Sequence, residues 1–159
     1  MYRKNTGFHP EEILFSPTTR CNLACPHCDI KKTKGILPAG IAKRFLLECK
    51  TIGIKRIGFT GGEPFLADMF LCDITRLAAK EGILFSRIMT NAIWYKTETE
   101  MKDDLFKLYT SGYDGEISIS VDAFHRQNLK KIAHFINTAL SIWRRPDLIS
   151  VVYVTGASE

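Results

Sequence analysis

Three cysteines stand close together in the run Thr18-Thr19-Arg20-Cys21-Asn22-Leu23-Ala24-Cys25-Pro26-His27-Cys28. A thiolate is both a nucleophile and a metal ligand, and thiols spaced this tightly on a loop can wrap one metal centre. An iron–sulfur cube is ordinarily held by four thiolates. Three of them leave one coordination position open, for a distant fourth ligand or for a group that is not protein.

The other two cysteines do not fill that position. Cys49 shares helical spacing with Ile41, Phe45 and Ile52, and Cys72 lies in another helical run, so both read as packed thiols. An odd cysteine count with one tight cluster argues for ligation in a reducing compartment and against a disulfide framework. With 159 residues, 45% hydrophobic and 25% charged, the chain has the make-up of one soluble globular domain. The opening run Met1 to Pro10 lacks the apolar core of a secretory signal, and no later run reaches the roughly 18 apolar residues of a membrane span, so a cytoplasmic location is expected. The net charge of +5 is spread over many segments. Only Lys31-Lys32-x-Lys34 forms a local cluster, read as a solvated rim in preference to a nucleic-acid or acidic-peptide site.

The surrounding pattern supplies the elements that must position the cysteines. Ile13-Leu14-Phe15 reads as a buried strand that delivers the loop, and a helix follows from Pro38 with Ile41, Phe45, Cys49 and Ile52 on one face until Gly53. The unit then repeats. Ile57 to Thr60 is a second strand breaking into Gly61-Gly62-Glu63-Pro64, before a helix marked by Leu66, Met69, Phe70, Ile74, Leu77 and Ala78. Leu84 to Met89 forms a third strand ending in Thr90-Asn91; the next helix opens on the capping box Thr97-x-x-Glu100 and turns Met101, Leu105, Leu108 and Tyr109 inward. A fourth strand, Ile117 to Val121, brings Ser120 and Asp122 to its end. Its helix carries Leu129, Ile132, Ile136, Leu140 and Trp143 until Pro146, and a fifth strand runs from Ile149 to Val154. Alternation of this kind implies an α/β fold on a parallel sheet, with the polar strand ends gathered at one edge.

At those strand ends the residues resemble a known family. Cys21-x-x-x-Cys25-x-x-Cys28 after the first strand, with Gly61-Gly62-Glu63-Pro64 after the second, resembles the radical S-adenosylmethionine (radical SAM) superfamily over residues 12–159. The resemblance implies one core domain, built of (βα) repeats as a partial TIM-type barrel. It also implies a [4Fe–4S] cluster on Cys21, Cys25 and Cys28, with S-adenosylmethionine at the open iron. Reductive cleavage of that cofactor to a 5′-deoxyadenosyl radical would then abstract hydrogen from a substrate, with a flavodoxin- or ferredoxin-like electron donor. By the same resemblance Gly61 and Gly62 let backbone approach the cofactor, Glu63 accepts from its amino group, and His27 lies near adenine. Pro64 completes that motif, while Asn91, Ser120, Asp122 and Gly156 are further cofactor contacts.

Four units and a fifth strand are counted where the resembled core has six, so its C-terminal part is expected to be missing or supplied by a partner. A peptide or protein is the first expectation for substrate, a glycyl-radical-enzyme activase the second, and RNA modification stays open. A catalytically incomplete fragment is a further alternative. From another class, the cysteines would hold structural zinc or an electron-carrying cluster, with His27 as nominal fourth ligand. His125 and His134 read first as ordinary histidines, with His125 near the site mouth. Replacing Cys21, Cys25 or Cys28 by Ala is expected to abolish iron binding in the reconstituted chain, while Cys49→Ala retains it. Iron assay and visible absorbance check this.

Overall fold

The computed structural model describes residues 9–153. Five strands, β1 (Glu12–Phe15), β2 (Arg56–Phe59), β3 (Leu84–Thr90), β4 (Glu116–Ser120) and β5 (Ile149–Val152), alternate with four helices, α1 (Ala39–Thr51), α2 (Asp68–Lys80), α3 (Glu98–Thr110) and α4 (Leu129–Trp143). All strand pairs are parallel, and the strands lie side by side in chain order. This is the expected set of four strand–helix units and a fifth strand. Each helix packs on the next, α1 on α2, α2 on α3 and α3 on α4.

Strand alternation divides the sheet into two unlike faces. Ile57, Phe59, Ile88, Ile117 and Ile119 are buried in one apolar cluster with the helices. On β4 the alternate positions are Glu116, Ser118 and Ser120. There the Ser118 hydroxyl lies 2.6 Å from that of Ser150 on β5, and both hydroxyls donate to Glu116. The face away from the helices is therefore partly polar, as the lining of a partial barrel would be.

The starts of α3 and α4 follow local capping rules. Thr97 and Glu100 form the expected capping box, with Glu100 N donating to Thr97 Oγ1 at 3.1 Å. Asn128 caps α4 by accepting from Lys130 N and Lys131 N. That helix ends at Trp143, with Arg144 in the left-handed conformation (φ 53°), just before Pro146.

The buried faces differ from the expected stripes. On α1 the buried residues are Ala42, Leu46 and Cys49, whereas Ile41 and Phe45 are about half exposed and Ile52 is more so. The apolar residues of α1 cover an arc wider than the buried stripe, so sequence spacing alone leaves the phase ambiguous. The fold buries the side that carries Ala42, Leu46 and Cys49. On α2, Met69 is 79% exposed and Leu71 and Cys72 are buried in its place; on α3, Tyr109 is partly exposed; on α4, Leu129 is exposed and Phe135 takes the central core position. Cys49 and Cys72 are packed thiols as expected, and burial pushes both up from the usual thiol range. On these faces Leu46→Ala is expected to cost about 2–5 kcal/mol. Ile41→Ala should stay within about 1 kcal/mol. Denaturant unfolding of the two variants separates the alternatives.

Candidate functional site

The segment between β1 and α1 is closed at its neck before it reaches the cysteines. Leu37 N donates to Pro17 O at 2.7 Å, Thr18 bridges Ile36 in antiparallel fashion, and Thr18 Oγ1 donates to Gly35 O at 2.8 Å. Beyond the neck the Thr19 and Thr33 hydroxyls pair at 2.7 Å. Lys32 Nζ donates to the Leu23 carbonyl, so one lysine of the basic cluster braces the cysteine loop, a local role in addition to its place on the rim.

Cys21, Cys25 and Cys28 are free thiols that line one cavity together with His27, Thr60, Gly61, Gly62, Met89, Asn91, Ser120 and His125. Burial, and then the charges of Cys21 and Cys28, push the Cys25 thiol above its usual range. Three thiols that repel one another as anions around a common space suit a cationic metal centre. Two N–H groups face the first sulfur, Leu23 N at 3.4 Å and Asn91 Nδ2 at 3.8 Å from Cys21 Sγ. The donor set therefore fits an iron–sulfur cluster held by three cysteines, with N–H groups on a sulfur of the kind that tune such clusters.

The Gly61-Gly62 turn packs against this loop. Gly61 has φ 116°, and a Cβ there would lie 2.7 Å from Thr18 O. At Gly62 a Cβ would run into the Arg20 carbonyl. Gly62 N donates to Thr18 O at 2.9 Å and Glu63 N to Arg20 O at 2.7 Å. The two glycines thus serve the approach of the second strand end to the cysteine loop as well as lining the cavity.

Glu63 is wholly buried and does not line the cavity. Its Oε1 accepts from Thr90 Oγ1 at 2.8 Å and Phe65 N at 3.3 Å, and Oε2 accepts from Asn91 N at 2.8 Å. Pro64 opens a short 3-10 turn, Pro64–Ala67, which Glu63 caps. Asn91 in turn donates through Nδ2 to Asn22 Oδ1 at 2.8 Å. A chain of contacts therefore runs from the Gly-Gly-Glu segment through Asn91 to the cysteine loop.

Ser120 lines the cavity, and Asp122 turns its carboxylate to the backbone and ring of His125. Gly156 lies outside the described residues, as does the part of the fifth-strand segment beyond Tyr153. Sequence reasoning missed Gln127, whose Nε2 donates to Asn91 O and Ser120 O at 2.7 Å each and so clamps two strand ends. No spacing signal marks it. Thr60 and Thr90, polar strand-end residues in the sequence pattern, also line the cavity, and Met89 beside Thr90 joins them without a signal of its own. His134 is partly exposed beside Glu98, in keeping with an ordinary histidine.

Parallel strands that converge three thiols and a Gly-Gly-Glu turn on one edge define a partial-barrel α/β protein with a thiol-lined cavity. The Radical SAM superfamily model matches residues 15–144, and the chain belongs to that superfamily. It is 37% identical to a GTP 3′,8-cyclase of Synechococcus sp. (strain WH7803) over 122 residues, 73% of this chain and 35% of that protein. It is 32% identical to a PqqA peptide cyclase of Rhodopseudomonas palustris (strain ATCC BAA-98 / CGA009) over 93 residues, 56% of this chain and 24% of the relative. Among solved structures, native anSMEcpe with bound AdoMet and Cp18Cys peptide matches with a TM-score of 0.60 at 18% identity, covering 88% of this chain and 42% of that one. The chain spans about a third or less of the length of these curated relatives. Among the described residues no helix is long and apolar enough to cross a membrane.

Burial raises the Glu63 carboxyl from 4.5 to about 7, against the three hydrogen bonds that favour its charged form. The folded chain therefore holds a proton that the unfolded chain has released. Stability from this group is complete below about pH 4.5 and falls as pH rises to about 7, by roughly 3 kcal/mol. Glu63→Gln is expected to flatten that part of the stability–pH curve, measured by denaturant unfolding at each pH.

Proposed function

We propose that Cys21, Cys25 and Cys28 hold a [4Fe–4S] cluster, that S-adenosylmethionine occupies the adjoining space, and that the chain is the cofactor-binding core of a radical enzyme. The observation that carries this reading is the convergence of three free thiols and the Gly61-Gly62 turn on one cavity. When bound, the cluster and S-adenosylmethionine would supply a one-electron cleavage whose 5′-deoxyadenosyl product takes hydrogen from the substrate.

The protein's own share is orientation and electrostatics. Asn91 Nδ2 and Leu23 N place N–H dipoles on the Cys21 sulfur, and Lys32 holds the loop that carries it. Gly61 and Gly62 keep that side of the cavity free of side chains. Glu63 contributes partial negative charge from behind Asn91, through a low-dielectric interior where charge carries further than in water. Ser120 and His27 line the remaining wall. Gly156 is retained as a cofactor contact on the family resemblance alone.

A peptide or protein is proposed as substrate, supported by the PqqA peptide cyclase relative and the peptide in the anSMEcpe structure. The GTP 3′,8-cyclase relative favours a nucleotide as the second reading. A flavodoxin- or ferredoxin-like donor is the proposed electron source.

Anaerobic reconstitution with iron and sulfide is expected to give about four irons per chain. Its paramagnetic resonance signal should change when S-adenosylmethionine is added, and reduction should release 5′-deoxyadenosine. Stoichiometric zinc with no response to S-adenosylmethionine would overturn the reading. Faster 5′-deoxyadenosine formation with peptides than with nucleoside triphosphates supports the first substrate class; the reverse supports the second.

A further inference from the structure

The loop after β4 holds a carboxylate–imidazole pair to which the cofactor reading gives no role as a pair. Asp122 has its side chain only 4% exposed; Oδ1 accepts from Phe124 N at 2.9 Å and His125 N at 3.1 Å, and lies 2.7 Å from His125 Nδ1. A carboxylate oxygen accepts and does not donate, so in the neutral ring Nδ1 carries the hydrogen and Nε2 keeps its lone pair. The His125 ring lines the same cavity as the three cysteines, Gly61, Gly62 and Ser120, whereas Asp122 does not. His27 meets it edge-on with centroids 5.0 Å apart, and Phe124 stands 5.1 Å from His27 on a similar edge.

Aromatic edges with one fixed lone pair suit a planar base and a sugar that have hydrogens to donate. The donor atoms of His27, Asp122 and His125 also lie within 4.8 Å of one another, close enough for a cation. Asp122 Oδ1 already takes three hydrogens, which favours a hydrogen-bonded ligand over a metal ion there.

Given the S-adenosylmethionine site proposed above, we infer that His125 is a binding residue for the adenosyl group, accepting one of its hydroxyl or amino hydrogens through Nε2. Asp122 then acts as the positioning residue that fixes the ring, in place of a contact of its own.

The probe is 5′-methylthioadenosine, which keeps the adenosyl group but lacks the amino-acid part that would chelate iron. Its affinity is measured by equilibrium dialysis on the reconstituted chain, with S-adenosylmethionine itself in a parallel arm. His125→Phe keeps a ring of similar shape without the lone pair, and about a fivefold to tenfold loss of affinity for both ligands is expected. His125→Gln, which retains an acceptor, restores part of it and serves as the second variant should the Phe form fold poorly. Asp122→Ala should reproduce the His125→Phe loss, and Asp122→Asn, which retains Oδ1, should lose less. Cluster absorbance and circular dichroism are expected to stay unchanged. His125→Phe binding both ligands as tightly as wild type with its cluster intact overturns the assignment, as does a Zn²⁺ equivalent held by wild type and lost in that variant. A wild-type chain that holds its cluster but binds neither ligand overturns the cofactor site itself.

Discussion

One buried carboxylate ties the active edge of this protein together. Glu63 sits at the end of the second strand, has no exposed surface, and receives hydrogen bonds from Thr90 and Asn91 at the end of the third. Burying a charge away from water is costly, and three donors offset that cost only in part, which is why the carboxyl is raised to about 7. Its geometric effect is clear. With its backbone N–H held by Glu63, Asn91 directs its amide to Cys21 and Asn22, and Gln127 takes its carbonyl from the other side.

The cysteine loop depends on that anchor and on its own neck. The contacts of Pro17 and Thr18 with residues 35–37 close the segment before it turns, and the glycines at 61 and 62 allow the second strand end to reach the backbone of Thr18 and Arg20. Close approach leaves no room for side chains at the turn, so main-chain hydrogen bonds join it to the loop, while the side chains of Thr18, Lys32 and Asn91 brace the loop elsewhere. The three thiols line the cavity, Cys21 and Cys25 partly buried and Cys28 exposed.

Much of the architecture could be read along the chain. Strand–helix alternation, the capping box at Thr97 and Glu100, and the polar strand ends all follow local rules, and the structure keeps them. The helix phases were less legible. On α1 apolar residues occur on more than one face, and only the approach to β1 and α2 decides that Leu46 is buried and Ile41 is not. On α2 the same ambiguity exchanges Met69 for Leu71 and Cys72.

At the site the division has the same cause. Residue type and spacing identified Cys21, Cys25 and Cys28 as ligand candidates and brought Gly61 to Glu63 to the same edge, because thiolate chemistry and backbone freedom belong to the residues themselves. Which way each polar side chain turns depends on partners distant in the chain. Tertiary structure alone turned Glu63 inward to Thr90 and Asn91, set Asp122 against His125, and brought Gln127 across two strand ends. Hydrogen-bond direction is fixed by where the donors end up, and only the folded sheet places them.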